Sequence, residues 1–534
     1  MRQRLLEMER KNLIGKLITL IQLLVSVICI VTVAGSGMLP KKYLIFLIGA
    51  LVVLFGATHI LQYPKNKVLR YTGMIISLLM TIILAAISMG MMKTDDVLKK
   101  VGGATYKTDN MVVVVKKGDS AKNIEDAEDY RFGYQTAVDQ KNTDKMFKDI
   151  EKKVGKDVKT EEYESLTDEA NALLNGNVDA AVFNEGYMSM IDESVEGFSE
   201  KVKILYQYGI KTKVKSEKKA DVTEPFNVFI SGIDVAGPIT TNSRSDVNII
   251  MTVNPNTKQI LLTTTPRDYY VTIPGVSGDA RDKLTHAGIY GVNVSIGTLE
   301  MLYDTDIDYY FRLNFSGFTG IVDALGGITV DNDVAFTKGN YTYPVGKVQM
   351  DGKMALTFAR ERYSFVDGDI QRGKNQLKVI SAIIDKALSP DILVRYNSIM
   401  DSIKDCFEMD VPYDDIAALV RRQLSDNGSW NVVQCSVTGT GDSQIPYSMS
   451  DYAYVMRPDY NTVNKAKELM QAVKDGKTLS KTDTNITDAD RTRYASMPGD
   501  PAASYTSSGS GTQSSSSNNY SYSDSNDYSY SGGS

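Results

Sequence analysis

Three long uncharged apolar runs, Leu17 to Ala34, Tyr43 to Leu61 and Tyr71 to Met92, fill most of the first hundred residues. Each can cross a hydrocarbon core of about 30 Å as a helix of about 20 residues. Lipid offers no partner to a free backbone N–H or C=O, so helices are the only form such runs can take there. A cleavable signal peptide fits poorly, because the runs follow one another and no small-residue cleavage site stands out. Arg2, Arg4, Arg10, Lys11 and Lys16 precede the first run, and Lys65, Lys67 and Arg70 lie between the second and third. Only Lys41 and Lys42 lie between the first and second. This asymmetry predicts a cytoplasmic N-terminus and places everything after Met92 outside the cell. If one run were re-entrant, parity would put the later domains in the cytoplasm instead.

The remaining chain is long enough for two or three domains. Charged residues make up 23% and the net charge is −6, which does not suggest a nucleic-acid partner. Two histidines, His59 and His286, rule out a multi-histidine metal site, and no Gly-x-Ser-x-Gly elbow supports a serine nucleophile. Cys29 lies in an apolar run; Cys406 and Cys435 remain, and an exported location permits a disulfide or two free thiols.

Residues 101–216 alternate short apolar runs with helical stretches. Met111–Val115 reads as a buried strand, Ala121–Glu128 as helix-prone, and Leu173 to Phe183 as a helix end, a Gly turn and a strand. Val202–Tyr206 reads as another strand. A small accessory α/β unit with a largely parallel sheet is expected, serving as spacer or interaction module. Lys211 to Lys219 reads as a solvated linker.

Residues 217–480 carry the densest pattern. Strands are expected at Phe226–Ile230, Val247–Val253, Gln259–Thr264, Asp308–Leu313 and Ile328–Val330. Helices are expected at Ile289–Leu302, at Phe318–Leu325 closed by Gly326-Gly327, and at Asp369–Leu388. This is an α/β/α sandwich with a mixed sheet, and no Gly-rich phosphate loop follows its first strand.

Within it lies Ala359-Arg360-Glu361-Arg362-Tyr363, followed by Asp369, Arg372 and Gln376. Arginine stays charged at physiological pH and grips phosphate bidentately. If extended, Arg360 and Arg362 share a face; if helical, Arg372 and Gln376 lie one turn apart. The cluster reads as a cradle for phosphate or pyrophosphate, the alternative being a salt-bridge network with Glu361, Asp367 and Asp369.

The order of Arg244-Ser245-Asp246, Pro266-Arg267-Asp268, Asp308-Tyr309-Tyr310, Val322-Asp323-Ala324-Leu325-Gly326-Gly327, Arg360-Glu361-Arg362-Tyr363, and Asp369 with Arg372 and Gln376 resembles the LytR-CpsA-Psr family. The similarity runs from about Phe226 to Leu388 and more weakly from Trp430 to Lys477. A membrane anchor followed by an extra α/β domain is similar to the capsule-associated, CpsA-like branch. The resemblance implies an extracellular phosphotransferase that moves a glycopolymer, such as capsular polysaccharide, from a polyprenyl-pyrophosphate carrier onto peptidoglycan. It implies Mg²⁺ held by Asp234 and Asp246, and a pyrophosphate lined by Arg244, Arg267, Arg360, Arg362, Arg372 and Gln376. Lys283 matches a basic rim position, though family members often carry Ile-Asn where this chain has Leu-Thr. The resemblance also implies an apolar lipid tunnel; Ile249-Ile250-Met251 would line it or form ordinary core. Arg267 is a catalytic candidate, and Asp234 and Asp268 are candidate general bases, Asp268 alternatively bracing an arginine. Loss of Arg267 or Arg362 is expected to abolish transfer and leave folding largely intact. Two other readings stay open: a membrane-bound attenuator of transcription, and a hydrolase of the same diphosphate.

Residues 481–534 are expected to form a disordered tail. Beyond Ala503 they hold no lysine, arginine or aliphatic side chain, so no core can form there.

Overall fold

The computed structural model describes residues 2–64, 66–101, 106–213, 221–233, 239, 242–366, 368–388, 407–426 and 428–494. The apolar runs form three helices, Arg2–Gly35, Lys41–Ile60 and Lys67–Val101, with spans long and apolar enough to cross a membrane. Polar groups inside this bundle find one another, as in the bond from Thr58 Oγ1 to Gln22 Oε1 at 2.9 Å. The junction of the first two helices touches the segment around helix Tyr413–Asp426. Lys42 Nζ donates to the Ser425 carbonyl at 2.9 Å, Tyr413 donates its hydroxyl to the Ser36 carbonyl at 3.0 Å, and Met38 joins the core beyond.

The accessory unit is a five-stranded sheet in the order Lys159–Tyr163, Arg131–Gln135, Ala180–Asn184, Tyr106–Lys116, Val202–Lys213. The first three strands run parallel, but Tyr106–Lys116 is antiparallel to both its neighbours, so the sheet is mixed rather than largely parallel. Tyr106 pairs with Lys213, which brings the chain's entry and exit side by side; only an antiparallel pairing does that over the whole strand length. The turn after helix Leu166–Asn175 is as expected, with Gly176 at φ +82°, a conformation that Cβ-bearing residues avoid. The helix expected at Ala121–Glu128 shrinks to a 3₁₀ turn at Glu125–Ala127. There Asp119, Asn123 and Asp126 side chains capture the backbone N–H groups of Ala121, Asp126 and Lys122.

The larger unit is built on a six-stranded mixed sheet in the order Phe407–Met409, Tyr309–Asn314, Phe226–Ile233, Ser245–Asn254, Gln259–Thr264, Asn431–Ser436. Phe226–Ile233 is parallel to Tyr309–Asn314, and Gln259–Thr264 to Asn431–Ser436, while the central pairs are antiparallel. Helices cover both faces. Neighbouring Ile249 and Ile250 are fully buried on opposite faces in two separate cores, so they are ordinary core residues. Helix Gly368–Ala387 lies against the first core with Leu377 and Val379, and helix Tyr460–Lys474 closes the second with Val463, Ala466, Leu469 and Met470.

Order continues beyond residue 480. Helix Asp488–Tyr494 packs back on Tyr460–Lys474 through Lys465–Asp490 at 3.2 Å and Arg493–Glu468 at 2.6 Å, its first turn capped by Thr487. The disordered tail expected from 481 therefore begins no earlier than 495, and residues 495–534 lie outside the described residues. Cys435 is a buried free thiol whose pKa burial pushes up to about 12; Cys406 lies outside the described residues.

Candidate functional site

At the C-terminal ends of Gln259–Thr264 and Asn431–Ser436, beside the start of helix Gly368–Ala387, lies a narrow cavity. It is lined by Asp246, Thr264, Thr265, Arg267, Arg372 and Gln376, with Asp369, Gly373 and Ser436 completing the wall. The strand Ser245–Asn254 delivers Asp246 at its second residue, and the turn after Gln259–Thr264 delivers Arg267 and Asp268. One helical turn sets Arg372 and Gln376 on the same wall, as their spacing requires.

Arg267 Nη1 bonds Asp246 Oδ2 at 2.9 Å, its Nε lies 3.5 Å from Asp268 Oδ2, and Thr285 Oγ1 donates to Asp246 Oδ1 at 2.9 Å. Burial opposes the charge on Asp246, yet Arg267, Arg244 and Arg372 hold its carboxyl far below the usual carboxylate range. Burial likewise opposes the charge on Arg267, and Asp246, Asp268 and Asp369 outweigh it, raising its pKa. Arg372 has the opposite balance: burial and the like charge of Arg267 lower its pKa, although it pairs with Asp369. Asp369 is raised, by burial first and then by Asp268, against the pull of Arg372.

The other predicted residues fall around this centre. Lys283 sits in the short strand Asp282–Lys283 and Arg244 just before Ser245; both pair with Glu193 of the accessory unit, Lys283 at 2.8 Å. Arg360 and Arg362 do not alternate on a strand. Arg360 ends the helix Gly352–Arg360, whose N-cap Asp351 accepts from Met354 N, and its guanidinium lies 4.2 Å from the centroid of the Phe315 ring. Arg362 follows in the turn, over the Tyr363 ring, and its charge reaches Asp369. Glu361 between them is buried, accepting from Ser364 N and lying 3.5 Å from Lys338, so the ion pair it forms there is with a lysine outside the arginine cluster. Asp234 and Asp367 lie outside the described residues. Arg267 is also no mere surface charge: it is mostly buried and is the direct partner of Asp246, so its loss reaches the fold as well as the site.

Thr264, Thr265 and Ser436 were not singled out from sequence, and Thr285 stands out only as a departure from the family pattern; these residues gain meaning only once three separate segments converge. Glu193 carried no sequence signal either, being one acidic residue in a short helix, Met188–Ser194, about fifty residues before the nearest cation it meets.

The LytR_cpsA_psr family pattern matches residues 193–472, just over half of the chain. The chain belongs to the LytR-CpsA-Psr family. That match begins at Glu193 and ends within helix Tyr460–Lys474, and so includes every described site residue. An Enterococcus faecalis protein named polyisoprenyl-teichoic acid–peptidoglycan teichoic acid transferase TagU is 33% identical over 254 residues, covering 47% of this chain and 83% of that protein. The corresponding Bacillus subtilis transferase TagT is 35% identical over 208 residues, covering 37% and 63%. A solved Enterococcus faecalis structure described as a transcriptional regulator is 28% identical, covers 52% of this chain and 95% of that one, and superimposes with a TM-score of 0.40. A second pattern, for a DNA polymerase processivity factor, matches residues 66–183. That segment starts at the third apolar helix and stops inside strand Ala180–Asn184, before the accessory sheet is complete.

Proposed function

We propose that this LytR-CpsA-Psr protein is a membrane-anchored phosphotransferase that moves a glycopolymer from a polyprenyl-pyrophosphate carrier onto peptidoglycan outside the cell membrane. The observation that carries this reading is the meeting of Arg267 and Arg372, two like charges from distant segments, on one cavity wall with Gln376. Such a wall suits a group with several anionic oxygens. The names of the relatives, each a transferase acting on a polyisoprenyl-linked polymer and peptidoglycan, point the same way.

In this reading an acceptor hydroxyl oxygen attacks the phosphorus that bears the glycopolymer. The bond from that phosphorus to the bridging oxygen breaks, polyprenyl phosphate leaves, and the hydroxyl proton passes to a carboxylate. Arg267, Arg372 and Arg362 stabilise charge as it spreads over the phosphoryl oxygens. Asp268, 3.5 Å from Arg267 Nε, fits the bracing role. Asp369 is the better base, because its raised pKa lets it keep the proton it takes. Asp246, ionised and facing the cavity, would hold Mg²⁺, for which one or two carboxylates together with substrate phosphates suffice. When bound, the ion would neutralise charge on the diphosphate.

Orientation has two supports. The basic residues before the first helix favour an N-terminus inside. The contacts of Ser36 and Lys42 with Tyr413 and Ser425 agree with a first loop on the same side as the catalytic unit, as three complete crossings would require.

The test is the full chain in lipid nanodiscs with a polyprenyl-pyrophosphate-linked glycan, with and without peptidoglycan. Polymer joined to peptidoglycan through a phosphodiester, lost on chelation and restored by Mg²⁺, is the expected product. Polymer phosphate released at equal rates with and without acceptor would mean hydrolysis, and no turnover of the carrier would end the proposal.

A further inference from the structure

The catalytic unit does not form its site alone. Helix Met188–Ser194 of the accessory unit sets the Glu193 carboxylate between Arg244 Nη1 and Lys283 Nζ, one oxygen on each. The surrounding seam is apolar: Ile289, Tyr290 and Met449 of the catalytic unit pack into the accessory core beside Tyr187, with the Tyr187 and Tyr290 ring centroids 6.3 Å apart. Backbones also meet closely there, since a Cβ on Gly186 would stand 3.0 Å from the Asn242 carbonyl oxygen. The accessory unit is thus a fixed wall, and Glu193 is its one carboxylate in contact with predicted phosphate-binding cations among the described residues.

We infer that Glu193 is a resident counter-anion, holding the anion position between Arg244 and Lys283, and that the diphosphate binds by displacing it. This rests on the diphosphate reading above. Three features support it. First, burial is graded: the side chains of Lys283 and Arg244 are 6% and 14% exposed, and that of Glu193 is 31% exposed. The cations are fixed beneath, and the Glu193 side chain is the most exposed of the three, so it is the partner with room to turn outward once another anion takes its place. Second, the positions belong to one electrostatic site, because Glu193 acts on Arg267 and Arg244 acts on Asp246. Third, the balance of side-chain charge, before any Mg²⁺ is added, shifts with Glu193. Arg244, Arg267, Lys283, Arg362 and Arg372 face Asp246, Asp268, Asp369 and Glu193, a formal excess of one positive charge with Glu193 in place and two with it turned out. A diphosphate esterified at both ends brings two negative charges. Although partial burial disfavours its charge, Lys283 and Arg244 hold the Glu193 carboxyl at about 2, so it is an anion at any pH where the protein works.

A carboxylate that must leave lowers affinity for the ligand that replaces it and excludes weaker anions from the site. One that stays to position Arg244 and Lys283 would raise affinity instead. The two roles therefore predict opposite signs.

The experiment measures inorganic pyrophosphate binding by calorimetry on the full chain in detergent, for wild type and Glu193→Gln. Glutamine keeps the shape and one acceptor oxygen, and the apolar seam is untouched. Binding about tenfold tighter in the variant is expected. Equal or weaker binding overturns the displacement, leaving the diphosphate site standing. No pyrophosphate binding by either protein ends both the inference and the reading beneath it. On wild type alone, carbodiimide footprinting read by mass spectrometry should show Glu193 labelled more heavily when pyrophosphate is present. Unchanged or reduced labelling in a protein that binds pyrophosphate overturns the inference whatever the variant does.

Discussion

Arg267→Ala tests whether the site and the fold share a part. The guanidinium bonds Asp246 at 2.9 Å, and both side chains are mostly buried, at 16% and 17% exposure. Removing one member of a buried pair costs about 3–5 kcal/mol, because the other charge stays dry and unpaired. Here Arg244 and Arg372 still act on Asp246 and Thr285 still donates to it, so the lower end applies, about 3 kcal/mol. In a unit of this size that lowers the melting temperature by about 6–12 °C. The sign of the pH dependence follows from Asp246. Its folded pKa lies below its unfolded value near 4, so the stability it contributes is present above about pH 4 and is lost as pH falls further. The measurement is thermal unfolding of the full chain in detergent at pH 7, beside the transfer assay. Adding Asp246→Asn to Arg267→Ala should return part of the lost stability without returning activity. A single variant that melts within about 2 °C of wild type, or that still transfers polymer, refutes the reasoning.

Arg362→Ala should behave differently: it lies in a turn over the exposed Tyr363 ring, so transfer should fall at least about a hundredfold with the melting temperature within about 2 °C of wild type, read in the same two assays. Asp410 is pushed up to about 6, by burial first, against the Tyr310 N–H it accepts at 2.7 Å. Its folded pKa lies above the unfolded value, so its contribution is present below about pH 4 and is lost as pH rises through 6. Asp410→Asn should therefore melt a few degrees above wild type at pH 7.5 and level with it near pH 4; no gain at pH 7.5 would contradict the burial argument. Cysteines placed at Lys42 and Ser425 should both react with an impermeant maleimide on intact cells and join through a short cross-linker, whereas labelling only after lysis would invert the topology.

The expectations that survived rest on local chemistry. The strand Gln259–Thr264 lies between a turn at Asn254-Pro255-Asn256 and Pro266, and both of its ends are as read. Gly326 and Gly327, at φ +77° and +83°, close the preceding helix because few other residues adopt that conformation. Arg372 and Gln376 share a wall because one helical turn leaves them no other relation. What failed depended on the chain's distant parts. Arg360 and Arg362 share a face only if that stretch is extended, and the Asp351 cap with Gly352 N bonded to Asp323 Oδ1 makes the segment up to Arg360 helical, parting the two. Strand direction in the accessory sheet hinged on where residue 213 must return, and Glu193 on how two units dock. None of these is written within a ten-residue window.

The hold that Ser36 and Lys42 have on Tyr413 and Ser425 has a mechanical consequence. A catalytic unit joined to its membrane helices by a leash alone would sweep a wide arc and meet cell wall at many heights. One also moored through the first loop keeps its mouth at a set altitude over the lipid heads. In the proposed reaction the carrier would then lift little of its tail from the bilayer, and the polymer's own length, not travel of the enzyme, would bridge the span to the wall.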